Sequence, residues 1–160
     1  MEKQYLAIME QSLEKKIGIL DRIIAKNQEQ NAILNDPNMK WEDFDDNANR
    51  KMELIEEIDK LDEGFEDLFE RVKEELESPG GKEKHAAQIV RMQELIRQIT
   101  EKSTSIQAQE ARNKVLVEQY FQQSRERIRK GRTSSKAAMD YYKSMSQTSF
   151  AQPHFLDDKK

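Results

Sequence analysis

The chain of 160 residues contains no cysteine, which excludes disulfides, thiolate metal sites and a cysteine nucleophile. That absence fits a reducing compartment without establishing one. Only five glycines and three prolines interrupt the chain, few enough to leave long stretches free for helix. No apolar run approaches the ~18–20 residues that a membrane span needs. The opening residues, MEKQYLAIMEQSLEKK, lack the apolar core of a secretory signal and are already amphipathic. A cytoplasmic protein without membrane insertion is expected. The net charge of −4 is small and argues against a general nucleic-acid binder. Gly-x-Gly-x-x-Gly, P-loop, Gly-x-Ser-x-Gly and His-Glu-x-x-His motifs are all missing. So is the Glu-x-x-His pair of di-metal bundles. No enzyme, no cofactor and no metal site is expected.

Charged residues make up 36% of the chain and apolar residues another 36%, which suits helices that bury one stripe each and wet the rest. A first helix is expected over about 2–35, with Leu6, Met9, Leu13, Ile17, Leu20, Ile23, Ile24 and Leu34 on one face in steps of three and four. Asn27 and Asn31 continue that stripe with polar groups. Asp36-Pro37-Asn38 ends it, because proline removes a donor and disfavours α geometry in the residue before it. A second helix is expected over about 41–77, its stripe running from Phe44 and Ala48 through Ile55, Ile58, Leu61, Phe65, Leu68, Phe69 and Val72 to Leu76. Glu42, Asp43 and Asp45 crowd its first turn, where the helix dipole favours anions.

Ser78-Pro79-Gly80-Gly81 is the clearest boundary, short enough to turn the next helix back antiparallel. That third helix is expected over about 82–130, with Ile89, Met92, Leu95, Ile96, Ile99, Ile106, Leu116, Val117, Tyr120, Phe121 and Ile128 in its stripe. Ser103, Glu110 and Asn113 interrupt it on the inward side. In an up-down-up arrangement these polar positions meet those of the first helix, as a buried polar layer that sets register or as an open, wet region. The fold class is therefore all-α: an elongated, coiled-coil-like antiparallel bundle of three long helices over residues 1–130, with a tail over 131–160. The tail carries a short helix near 134–145 and a terminal apolar segment, Phe155-Leu156. At ~1.5 Å per residue the third helix spans roughly 70 Å and its partners roughly 50–55 Å, so its last turns are expected to overhang. An apolar row left in water marks a contact surface, which the tail, a second copy or a partner helix would cover.

Groups able to do chemistry are sparse. His85 and His154 are far apart, and neither has a metal-type partner nearby in sequence. A phosphotransfer histidine at His85 would be followed by a lysine and a glycine, which are absent. The carboxylates of the second helix fall mostly off its stripe and read as a solvated face. The basic run from Arg125 to Arg132 reads as favourable charge at a helix C-terminus, as a docking patch for an acidic partner, or as a nucleic-acid contact, in falling order.

Two features together resemble a known family. Arg50-Lys51-x-x-Leu54-Ile55-x-x-Ile58-x-x-Leu61 lies on the second of two long helices that precede a very long third. Tyr141-Tyr142-Lys143, a polar spacer and Pro153-His154-Phe155-Leu156-Asp157 precede terminal lysines. This arrangement is similar to the FlgN-like flagellar export chaperones of Gram-positive bacteria. The resemblance implies a cytosolic chaperone that binds the C-terminal amphipathic helices of hook-filament junction proteins and delivers them to the type III export apparatus. A client helix would lie in a groove. The third-helix overhang and the tail offer one, lined by Leu116, Tyr120, Phe121, Ile128, Ala138, Tyr141, Tyr142 and Met145. The alternative is a non-catalytic coiled-coil scaffold or homodimerisation protein.

Overall fold

The computed structural model describes residues 2–123. All regular structure among them is helical: α1 (Glu2–Leu34), α2 (Trp41–Glu77), α3 (Gly81–Lys84) and α4 (Ala86–Gln123). The expected boundaries at Asp36-Pro37 and at Ser78-Pro79-Gly80-Gly81 are both present. After α1, the Asn38 N–H donates to Asp36 Oδ1 at 2.8 Å, the local side-chain turn that aspartate offers a chain leaving a helix. Glu42 and Asp43 occupy the first turn of α2.

The second boundary depends on both of its glycines. Gly80 has φ +81, a left-handed conformation in which any side chain is strained. At Gly81 a Cβ would sit 1.9 Å from the Glu75 carbonyl oxygen, so the chain folds back against the last turns of α2 only because nothing is there.

The expected single helix from residue 82 onward is divided. His85 has φ −113 and ψ 25, outside α geometry, and separates the four-residue α3 from the 38-residue α4. The reversal seats Gly81 on the Glu75 backbone, and His85 itself is 3% exposed. Residues 124–130, the expected end of this helix, lie outside the described residues, as does the whole 131–160 tail with Phe155 and Leu156.

The helices pack in two compact groups, residues 2–21 with 56–103 and residues 22–55 with 104–123. In the first group α1 and α2 run in opposite directions: Lys16 meets Asp62, and Arg71 lies over the ring of Tyr5. α1 and α4 run the same way, with Arg91 on Glu10 and Glu14 and Lys102 on Asp21. The interior holds Leu6, Met9, Leu13, Leu20, Ile58, Phe65, Met92 and Ile99. The second group buries Ile23, Leu34, Phe44, Ile55, Ile106 and Val117.

Buried positions recur in alternating steps of three and four, the 3.5-residue period of a helix that keeps one seam facing its neighbours. On α1 the seam is Leu6, Met9, Leu13, Lys16, Leu20, Ile23, Asn27, Gln30 and Leu34, with Ile19 buried beside it. Ile17 and Ile24, both expected in the stripe, are half-buried at its margin. Lys16 and Gln30 stand where an apolar residue would be expected.

Candidate functional site

The densest polar construction lies inside the second group and is built from the seams of α1, α2 and α4. Gln30 is its centre. Its Nε2 donates to Asn47 Oδ1 at 3.0 Å, and its Oε1 accepts from Lys51 Nζ at 3.3 Å and from Asn113 Nδ2 at 3.1 Å. Asn47 Nδ2 donates to the Lys26 carbonyl at 2.9 Å and to Glu29 Oε1 at 2.8 Å. Asn113 Nδ2 also donates to the Asn27 carbonyl at 3.1 Å, and Asn31 Nδ2 donates to Asn113 Oδ1 at 3.4 Å. Asn27 Nδ2 donates to Gln109 Oε1 at 3.0 Å. Of the two outcomes open for Asn27, Asn31, Glu110 and Asn113, a polar layer joining the first and third long helices is the one observed. Ser103 does not join it: its buried hydroxyl has no hydrogen-bond partner among the described residues.

A buried charge pair sits in the same layer. Lys51 Nζ is 2.7 Å from Glu110 Oε2, with the lysine side chain fully buried and the carboxylate 12% exposed. Burial pushes the Lys51 ammonium down to about 8, and the opposing pull of Glu110 recovers only part of that shift. At the edge of the layer the Glu29 carboxyl is held below its ordinary range, first by the hydrogen bond from Asn47 and then by Lys26.

The first group holds one comparable pair. Lys16 Nζ lies 2.9 Å from Asp62 Oδ1, and the lysine is 2% exposed. Burial raises the Asp62 carboxyl above its ordinary value even though Lys16 opposes the change. His85 closes the far corner, with Nε2 4.0 Å from Glu75 Oε2 and neither ring nitrogen hydrogen-bonded among the described residues. An imidazole this enclosed is poorly placed to meet a phosphoryl donor. No group of three metal-ligating side chains occurs among the described residues.

Of the residues expected to form a client groove, Leu116, Tyr120 and Phe121 are half-buried in the second group. Ile128, Ala138, Tyr141, Tyr142 and Met145 lie outside the described residues. Leu116, Val117, Tyr120 and Phe121 do not form a free row in water. Val117 is fully buried, and the Trp41 ring lies 5.3 Å from Tyr120 and 5.2 Å from Phe121. Trp41 also meets Phe44 edge-on at 5.3 Å. The expected bare overhang is absent over 116–121, because the first turn of α2 supplies a tryptophan to the last described turns of α4. Trp41 therefore belongs to this aromatic surface, and its place at a helix start carries no sign of that in the sequence.

No helix among the described residues is long and apolar enough to cross a membrane. No protein-family model, curated protein or solved structure matches the chain.

Proposed function

We propose that this protein is a non-catalytic, cytosolic export chaperone of the FlgN-like kind. In this reading it is an antiparallel bundle of three long helices that holds the C-terminal amphipathic helices of flagellar hook-filament junction proteins and passes them to the type III export apparatus. The observation that carries the reading is the half-buried aromatic surface of Trp41, Leu116, Tyr120 and Phe121. Aromatic side chains that are neither sealed in a core nor fully wet present large, rigid contact area to a partner at low entropic cost. The resemblance of residues 50–61 and of the tail names the family of partners. Deleting 131–160 should leave a helical protein that no longer binds.

Trp41 is the chain's single tryptophan and lies on this surface, so its emission reports binding directly. Titrating the full chain with a peptide of a junction protein's C-terminal helix should give a saturable shift in Trp41 emission. Phe121→Ala should weaken it at least tenfold. No shift, or an undiminished shift in the 131–160 deletion, would remove the assignment.

A scaffold or homodimer is the second reading, favoured by the three-four seam itself, because such seams also join separate chains. Analytical ultracentrifugation separates the two: a tight dimer that ignores the peptide supports the scaffold.

A further inference from the structure

We infer that residues 22–55 with 104–123 are an opening half of the protein: their helices part as one cooperative unit more readily than residues 2–21 with 56–103. The polar layer around Lys51 and Glu110 sets the threshold.

The asymmetry is visible in what each group buries. Among the described residues, thirteen apolar side chains are buried in the first group and seven in the second. One of those seven is the small Ala48. Against them the second group buries Asn27, Gln30, Asn47, Lys51 and Asn113 along its seams, at 3% exposure or less. Apolar side chains give up nothing when they leave water, and they resist opening by their full transfer free energy. Amides and charges were hydrogen-bonded to water before they were buried, so opening returns to them most of what their internal bonds supply. A buried ion pair is on balance no more stabilising than apolar side chains of similar volume.

Buried polar atoms without a hydrogen-bond partner among the described residues occur in both groups, Asn27 Oδ1 in the second and Ser103 Oγ with both His85 ring nitrogens in the first, so they do not set the difference. Local opening at low free energy is the expected behaviour of a segment with few buried apolar contacts. This inference concerns the chain alone and stands whether or not the chaperone reading does.

Native-state hydrogen exchange on the full chain, in low concentrations of denaturant, tests it. Interior amides of 23–30, 51–55 and 106–113 should share one opening event and exchange at least tenfold faster than interior amides of 58–72 and 92–99. In the double variant Lys51→Met with Glu110→Leu, exchange in the second group should slow at least tenfold, with the first group unchanged within twofold. Equal protection of the two groups in the wild-type chain overturns the inference, and that comparison decides it even if the variant fails to fold. A double variant that leaves the second group unchanged, or slows both groups alike, removes the polar layer as the cause.

Discussion

Removing the Glu110 carboxylate should expose how costly the buried Lys51 ammonium is. In Glu110→Leu the ammonium stays fully enclosed, and the carboxylate that stood 2.7 Å away is gone. Breaking a buried pair by removing one partner costs about 3–5 kcal/mol. A ceiling comes from the lysine itself, which escapes the penalty by losing its proton. From its ordinary value of 10.5, neutralising it at pH 7 costs about 4.8 kcal/mol, at about 1.36 kcal/mol per pH unit. Gln30 Oε1 remains to accept a hydrogen bond from Lys51, which places the expected loss nearer about 3 kcal/mol. Adding Lys51→Met should more than recover that loss, so the double variant lies above wild type by about 1.4 kcal/mol or more, the equivalent of tenfold slower opening. The assay is urea unfolding at pH 7 followed by far-UV circular dichroism, arranged as a double-mutant cycle. A Glu110→Leu loss under about 1 kcal/mol, or additive effects of the two substitutions, would refute the reasoning by showing that the pair is hydrated and uncoupled.

Other expectations follow from the same packing. The folded-state value of Lys51 lies below its unfolded value, so the unfolded chain binds more protons between about 8 and 10.5; wild-type stability should therefore rise with pH relative to Lys51→Met across that window, by up to about 3 kcal/mol, as unfolding at stepped pH would record. Gly18 and Gly64 lie within helices, and a Cβ at either meets nothing within 4 Å. Alanine at each should raise stability by about 0.5–1 kcal/mol, seen as a higher urea midpoint at unchanged slope. Gly81→Ala should cost about 1–3 kcal/mol or more, since its Cβ would overlap the Glu75 carbonyl and backbone must shift; a thermal midpoint within a degree of wild type would contradict that geometry.

Much of the fold is legible in the order of residues because helix signals are local. Pro37 and the Ser78-to-Gly81 run mark the turns wherever the helices finally pack, and the three-four steps of leucine and isoleucine identify the inward faces. The step of seven positions from Ala48 to Ile55 also carries a clue. Continuing the same steps through it lands on Lys51, which is buried. A hydrophobicity argument passes over that position because a lysine is inside only when a partner is there. Its partner, Glu110, is 59 residues away on another helix. The same reason hides Lys16, whose carboxylate is Asp62, 46 residues on. The surface role of Trp41 is not legible in the sequence because nothing near it points to Tyr120 and Phe121. The break at His85 is equally hidden, since no proline or glycine stands at that position.

By itself, then, the sequence determined that the chain is helical and where its long helices turn, because these depend on propensities and spacings within a few turns. The tertiary structure decided which polar residues are inside, which charges are paired, and that the aromatic end of the last described helix rests on Trp41. Those outcomes depend on which helix faces meet and at what height, and a contact between residues 51 and 110 has no trace in either neighbourhood alone.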